Sequence, residues 1–136
     1  MQNPITLLVV DDDPLLLRTL ALALGARGYR VLTAGCVREG VERALAGEPI
    51  DAIVVDWLLP DGLGWELVDH LRSIGGTPPP TVLISASMLV WQEVRSHGVV
   101  AYLPKPFSID RLVEVVSQAL RGPGGPYPAQ GKEVIL

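Results

Sequence analysis

Four predicted strands of this sequence end in side chains that can do chemistry. The residues are Asp11 and Asp12, Asp56, Ser85 and Lys105, each at the end of a short apolar run. Any one of them alone would be interpreted as a turn, cap or surface residue. Three carboxylates gathered at one place, however, repel each other and raise one another's pKa unless a cation lies among them. The combination therefore predicts a cation site.

The donor types indicate which cation and which anion this site would bind. Carboxylates, a backbone carbonyl and waters suit Mg²⁺, and the set has none of the soft ligands that favour zinc or copper. Mg²⁺, the Lys105 ammonium and the Ser85 hydroxyl would together neutralise the oxygens of a phosphoryl group. One carboxylate would then be free to attack phosphorus in line. Asp56 is the predicted nucleophile because it stands alone, while Asp11 and Asp12 are adjacent and would hold the metal.

The elements that must position these residues alternate between strand and helix. Strands are predicted at residues 5–10, 30–34, 52–55, 81–85 and 101–103. Helices are predicted at residues 14–24, 37–46, 65–74, 88–97 and 109–121, with Asp13 and Ser108 as N-caps of the first and last. Such alternation with short connections implies a parallel sheet with right-handed crossovers. We predict one five-stranded, doubly wound α/β domain whose ligands bind at the carboxyl ends of the strands.

Several side chains within these elements are assigned by pattern. Val41 and Leu45 are predicted to form the apolar pair of the second helix. Pro104 lacks an N–H group for a neighbouring strand, which predicts that the fifth strand lies at a sheet edge. His70 and His97 have no motif around them and are interpreted as solvated or capping side chains.

Composition excludes several other classes of function. The chain has 136 residues, 49% hydrophobic content and a net charge of -4, which suits one globular domain without a basic surface for nucleic acid. No apolar run approaches membrane-spanning length, and the start of the chain does not resemble a secretion signal. The single cysteine, Cys36, cannot form an internal disulfide, which favours a reducing compartment. We expect a cytoplasmic protein that binds neither nucleic acid nor membranes directly.

The end of the chain differs from the rest in composition. Seven of the ten residues from Gly122 to Gly131 are Gly or Pro, which is typical of a linker. We therefore assign residues 1–121 to the folded domain and residues 122–136 to a linker or tail. Either an output domain follows Leu136 in a longer protein, or the domain stands alone with a flexible tail.

These residues together resemble the receiver domain of two-component response regulators. The resemblance covers about residues 5–121, and five marks carry it: Val9-Val10-Asp11-Asp12-Asp13, Asp56-Trp57-Leu58-Leu59-Pro60 with Gly64, Ser85-Ala86, Tyr102, and Lys105-Pro106-Phe107. It implies a flavodoxin-like fold with strand order 2-1-3-4-5 and five helices. It also implies a phosphoacceptor signalling domain, in which Asp56 takes a phosphoryl group from a phosphohistidine of a sensor histidine kinase in a Mg²⁺-dependent reaction.

The resemblance further implies a role for each matching residue. The implied Mg²⁺ ligands are Asp12, Asp56, the Leu58 carbonyl and, through water, Asp11. Ser85 and Lys105 would each contact a phosphate oxygen, and the Lys105-Pro106 bond would be cis. Tyr102 would swing inward as Ser85 moves towards the phosphate, which would change the surface formed by the fourth helix, fifth strand and fifth helix.

Partner and dimer expectations follow from the same resemblance. A homodimer that forms on phosphorylation is one expectation. Val100 and Ala101, however, stand where the winged-helix subfamily typically has the acidic residues of a salt-bridged dimer, so that dimer is not predicted. The domain would not be an enzyme beyond catalysing its own phosphoryl transfer and slow autodephosphorylation.

Two alternative functions remain open at this point. The run Val9-Val10-Asp11-Asp12-Asp13 contains an Asp-x-Asp like that of haloacid-dehalogenase-type aspartyl-phosphate hydrolases. Pro14 and Leu15 follow it where Gly and then Thr or Val are usual, and the chain lacks room for a cap domain. The other alternative is a phosphorylation-independent interaction domain with a vestigial pocket.

Overall fold

The chain folds into a parallel sheet covered by helices. The computed structural model describes residues 4–87 and 91–122, apart from the side chains of residues 91 and 93. Numbered along the chain, the sheet strands are β1 (Thr6–Val10), β2 (Arg30–Ala34), β3 (Ala52–Asp56), β4 (Thr81–Ser85) and β5 (Val99–Pro104). The helices are α1 (Pro14–Ala26), α2 (Val37–Leu45), α3 (Trp65–Ser73), α4 (Trp91–Ser96) and α5 (Ile109–Leu120).

The strand order confirms the predicted architecture. Neighbouring strands run in the order β2-β1-β3-β4-β5, and each pair is parallel. All five residues of β1 and of β4 are buried, as expected for strands that helices cover on both faces. The helix α1 packs with α5, and α2 packs with α3. This is the doubly wound 2-1-3-4-5 arrangement, with β5 at an edge as predicted.

Local capping explains where the first and last helices begin. The Asp13 carboxylate accepts hydrogen bonds from the N–H groups of Leu15 (3.0 Å) and Leu16 (3.3 Å), which α1 itself cannot satisfy. The Ser108 hydroxyl accepts the N–H of Arg111 at 3.0 Å in the same way. Both predicted N-caps are therefore confirmed.

The second helix corrects one prediction. Val41 is buried as expected, but Leu45 is 57% exposed, so the two residues do not form a buried pair. The buried face of α2 is built around Gly40, where an added Cβ would lie 3.3 Å from the Leu67 side chain of α3. Leu45 lies instead in the last turn and lines a groove with loop residues such as Pro49. Helical spacing from Val41 could not reveal that Leu45, the last residue of α2, is left exposed.

Other boundaries differ by a few residues. Strand β5 is longer than the predicted 101–103, and α4 is described only from Trp91, so the predicted start at Met88 lies outside the described residues. The loop after β3 contains a small hairpin of Leu58–Leu59 and Gly62–Leu63 that periodicity did not predict, since two-residue strands carry too little pattern. Residues 123–136 of the predicted linker also lie outside the described residues. Within the described part of the chain, no helix has the length and apolar character needed to cross a membrane.

Candidate functional site

The carboxyl ends of the parallel strands bring the three predicted carboxylates together. Asp56 is the last residue of β3, whereas Asp11 and Asp12 follow β1 directly. One oxygen from each lies within 4.8 Å of the others. The Asp11 side chain is 1% exposed and that of Asp56 13% exposed, while Asp12 faces solvent. Two of the three carboxylates are thus largely buried, and the third, Asp12, is open to solvent.

Lys105 supplies the positive charge at this site. Its Nζ donates to Asp11 Oδ2 at 2.8 Å and lies 3.4 Å from Asp56 Oδ2. The Lys105 backbone N–H donates to the Ser85 carbonyl at 2.7 Å, so the lysine continues the pairing of β5 with β4. The Lys105-Pro106 peptide bond is cis, as expected. The lysine predicted to contact phosphate therefore lies beside the predicted phosphoacceptor.

The electrostatics of the cluster favour a bound cation. Burial, and then the negative charge of Asp11, raise the pKa of Asp56 above its usual value, while Lys105 opposes this. Burial by itself lowers the pKa of Lys105, but its hydrogen bond to Asp11 and the charges of Asp11 and Asp56 outweigh burial and raise it. Three carboxylates and one ammonium leave a formal charge of about −2 at neutral pH, which a divalent ion would neutralise.

The donor set fits Mg²⁺ in both chemistry and space. All three side chains of the acidic cluster offer hard carboxylate oxygens, which suit this ion. Asp12 and Asp56 border a pocket of about 440 Å³ that is also lined by Leu58, Ser85 and Lys105, while Asp11 lies buried behind it. The pocket therefore places the predicted metal ligands and the predicted phosphate contacts around one space.

Ser85 and Tyr102, the predicted switch residues, meet at a residue that the sequence did not reveal. The Ser85 hydroxyl donates to the Ser87 carbonyl at 3.0 Å and accepts the Ser87 N–H at 2.9 Å. The Tyr102 hydroxyl donates to the same Ser87 carbonyl at 2.8 Å. Tyr102 is buried and so already lies inward in this structure. The same burial raises the pKa of its hydroxyl. The Ser-x-Ser spacing is typical of a hydroxyl turn and was the available signal for Ser87.

An aromatic contact next to the pocket corrects the interpretation of His97. The His97 ring stacks on Trp65 with centroids 4.7 Å apart and planes at 10°. Its Nδ1 lies 3.0 Å from Asp69 Oδ2. Trp65 in turn lies 6.4 Å from Trp57, the residue after Asp56. His97 also follows the last residue of α4, where its N–H donates to the Val94 carbonyl at 3.1 Å, so it is a packed residue at a helix end and not a solvated one, whereas His70 is exposed.

The positions considered for a salt-bridged dimer are largely internal. Ala101 is fully buried within β5, and Val100 is partly buried against the core. Ala101 therefore cannot present its side chain to a second molecule in this conformation.

The sequence and the fold both match known proteins. The family model for the response regulator receiver domain matches residues 7–117. The probable transcriptional regulatory protein TcrX of Mycobacterium tuberculosis is 34% identical over 138 residues, covering 98% of this chain and 57% of that protein. The transcriptional regulatory protein KdpE of the same species is 35% identical over 116 residues, covering 84% of this chain and 50% of KdpE. The chain thus spans about half the length of these two regulators.

Solved receiver domains have the same fold. A CheY-like receiver domain protein from Methanospirillum hungatei matches with a TM-score of 0.77 and 26% identity, covering 87% of this chain and 94% of its own. The receiver domain of the Francisella response regulator 1452 matches with a TM-score of 0.75 and 28% identity, covering 88% of this chain and 98% of its own. Receiver domains of this kind are signalling domains and not classical enzymes, so these matches do not favour a hydrolase. The chain belongs to the response regulator receiver domain family.

Proposed function

We propose that this receiver domain accepts a phosphoryl group on Asp56 from a phosphohistidine of a sensor histidine kinase. The observation that carries the proposal is the position of Asp56 between the metal-type carboxylates and Lys105, whose Nζ lies 3.4 Å from Asp56 Oδ2. A carboxylate so placed is accessible from the pocket and has a cation beside it. Both features suit a nucleophile that attacks a negatively charged phosphoryl group.

In the proposed reaction, a carboxylate oxygen of Asp56 forms a bond to phosphorus as the bond between phosphorus and the donor imidazole nitrogen breaks. The departing imidazole takes a proton from solvent. Lys105 pairs with one phosphoryl oxygen and Ser85 hydrogen-bonds another. The residues that would hold Mg²⁺ are Asp12, Asp56, the Leu58 carbonyl and, through water, Asp11. When bound, the ion supplies further neutralisation of phosphoryl charge.

The proposed switch uses the contacts around Ser87. A Ser85 hydroxyl that turns towards a phosphate oxygen gives up its two hydrogen bonds with Ser87. The Ser87 carbonyl also accepts a hydrogen bond from the Tyr102 hydroxyl. If Ser87 moves once Ser85 has released it, the packing of Tyr102 in β5 changes as well. The change would be presented on the surface of α4, β5 and α5. Loss of the phosphoryl group by slow autodephosphorylation would reset the domain.

The relatives extend the proposal beyond the described residues. Since this chain covers only 57% of TcrX and 50% of KdpE, we propose that residues 1–121 form the receiver and residues 122–136 a linker or tail, with an output domain beyond Leu136 if the chain is part of a longer protein. The partners would be a cytoplasmic kinase domain and, after phosphorylation, a second copy of the receiver. We place the domain in the cytoplasm and assign it no direct contact with nucleic acid or membrane.

Chemical phosphorylation tests the central claim. The purified chain is incubated with acetyl phosphate and Mg²⁺ and its intact mass is measured. We expect one phosphoryl adduct that is lost in Asp56→Asn. It should persist in Asp51→Asn, where Asn retains an oxygen for the Thr6 N–H that Asp51 binds at 2.7 Å, away from the pocket. An unmodified wild-type protein would contradict the proposal. Absence of Mg²⁺ binding in calorimetry would instead support a vestigial pocket.

A further inference from the structure

The loop between β3 and α3 carries Leu58, whose carbonyl is a proposed metal ligand. Several hydrogen bonds fold this loop upon itself or onto the helix that follows it. The Gly64 N–H donates to the Trp57 carbonyl at 2.6 Å, and the Leu63 N–H donates to Glu66 Oε2 at 2.7 Å. These bonds give the loop its shape, but they do not attach it to the side of the pocket formed by the β1 carboxylates.

Asp61, at the tip of this loop, makes a longer connection. Its Oδ1 accepts the Val37 N–H at 2.8 Å, and its Oδ2 accepts the Arg38 N–H at 2.9 Å. Val37 and Arg38 are the first two residues of α2, whose N–H groups have no partner within the helix. A carboxylate at a helix N-terminus is also favoured by the helix dipole, and hydrogen bonds to an ionised acceptor are strong ones.

The α2 N-terminus is in turn joined to the acidic side of the pocket. The Asp11 N–H donates to the Ala34 carbonyl at 3.1 Å, and Ala34 ends β2 three residues before Val37. Asp11 is therefore connected to Ala34, the segment after Ala34 leads to Val37, and Val37 is bonded to Asp61. The loop that carries Asp61 also carries Leu58, which lines the same pocket. Replacement of Asp61 would remove the two hydrogen bonds that join this loop to the N-terminus of α2.

We propose that Asp61 is a positioning residue for the metal site, which holds the Leu58 carbonyl in place relative to Asp11 and Asp12. The inference rests on the proposed function, because it assumes that Mg²⁺ binds at these residues. Asp61 acts through the loop backbone and not by touching metal or phosphate. Burial favours its protonated form, but the N–H donors of Arg38 and Val37 and the other hydrogen bonds to the carboxylate together outweigh burial and lower the pKa of Asp61.

The same helix start offers a matched control. Glu39 Oε1 accepts the Gly35 N–H at 2.7 Å, which stabilises the beginning of α2 from within its own segment. Glu39→Ala therefore weakens the same helix N-terminus while leaving the connection from Asp61 to Val37 and Arg38 in place. A role of Asp61 as a helix cap alone would make the two alanine variants behave alike.

The test is a Mg²⁺ titration of the wild type, Asp61→Ala, Asp61→Asn and Glu39→Ala, followed by calorimetry and by tryptophan fluorescence, to which Trp57 in the pocket contributes. We expect the Mg²⁺ dissociation constant of Asp61→Ala to rise about tenfold, as for other residues that orient metal ligands. Asp61→Asn should fall between Asp61→Ala and the wild type, since its amide oxygen still accepts a hydrogen bond. Glu39→Ala should bind Mg²⁺ as the wild type does.

A second readout separates positioning from chemistry. At saturating Mg²⁺, the rate of phosphorylation of Asp61→Ala by acetyl phosphate should return to the wild-type rate, because the substitution leaves Asp56 and Lys105 intact. Wild-type Mg²⁺ affinity in Asp61→Ala, or equal weakening in Glu39→Ala, would overturn the inference and leave the proposed function standing. A wild type that binds no Mg²⁺ would overturn both. If Asp61→Ala does not fold, the comparison of Asp61→Asn with Glu39→Gln decides the question in the same way.

Discussion

The two ends of the sheet carry cavities of similar size and very different chemistry. At the carboxyl ends of the strands, a pocket of about 440 Å³ is lined by Asp12, Asp56, Ser85 and Lys105. At the opposite end, a larger groove of about 540 Å³ lies beside the last turns of α2 and α3, and Glu48 alone among its lining residues is charged. The larger cavity is therefore not the candidate site. The convergence of charged groups from separate strands supports the assignment of the site to the carboxyl ends of the strands.

The two ends also differ in whether their charged side chains are buried or lie on the surface. Asp11 is fully buried with only a partial counter-charge from Lys105, an arrangement that costs stability and is retained where function requires it. At the other end, Glu48 pairs with Arg30 on the surface, where such pairs contribute little. Substitutions made in pairs, one at each end, should therefore have unequal effects.

The largest difference is expected for two glycines. At Gly64, an added Cβ would lie 2.1 Å from the Asp56 carbonyl oxygen, so Gly64→Ala must shift the backbone beside the proposed phosphoacceptor. We expect it to lower the free energy of unfolding by about 3 kcal/mol. At Gly76, near the opposite groove, an added Cβ meets nothing within 4 Å, and Gly76→Ala should change stability by less than about 0.5 kcal/mol. Urea denaturation measures both, and similar midpoints would contradict the comparison.

A smaller difference is expected for two cations. Lys105→Ala removes the ammonium that lies 3.4 Å from Asp56, and should slow phosphorylation by acetyl phosphate about 100-fold because charge on the phosphoryl group is then less well neutralised. Arg30→Gln breaks only the surface pair with Glu48 and should leave the rate unchanged. Time courses of intact mass would measure both rates. Comparable rates in the two variants would show that Lys105 has no part in the transfer.

The smallest difference is expected when one acid at each end, Asp56 or Glu48, is replaced by its amide and stability is measured without Mg²⁺. The folded protein raises the pKa of Asp56, so ionisation of this carboxylate destabilises the folded state. This cost is absent below the ordinary pKa of the group and is fully present once the pH has risen through the raised pKa. At neutral pH, Asp56→Asn should therefore be more stable than the wild type by about 1 kcal/mol. The advantage should shrink on acidification.

Glu48→Gln is the control for this pH dependence. The hydrogen bond from Arg30 lowers the pKa of Glu48, so any stability that Glu48 contributes is present at neutral pH and lost in acid. At neutral pH, Glu48→Gln should therefore change stability in the opposite direction to Asp56→Asn and by a smaller amount. Thermal unfolding in chelator between acidic and neutral pH measures both variants, and identical profiles for the two would contradict the assignment of unfavourable charge to the pocket.

Much of the fold could be predicted because its signals are local. The N-caps at Asp13 and Ser108, and the apolar runs that end in Asp11, Asp56 and Lys105, each occupy a few adjacent residues. Parallel strands with short crossovers then leave few ways to arrange the ends, so the gathering of these side chains at one edge followed from the pattern. The resemblance to a known family added the roles of the individual residues and the strand order.

The tertiary structure decided the contacts between segments that are distant along the chain. It placed His97 on Trp65, left Leu45 exposed, and joined Asp61 to Val37 across 24 positions. Such contacts depend on how helices and loops pack around the sheet, and periodicity within one segment carries no information about that packing. The sequence by itself determined the sheet and the identity of the charged residues at its carboxyl edge. Only the folded structure decided how the loops around that edge are held together.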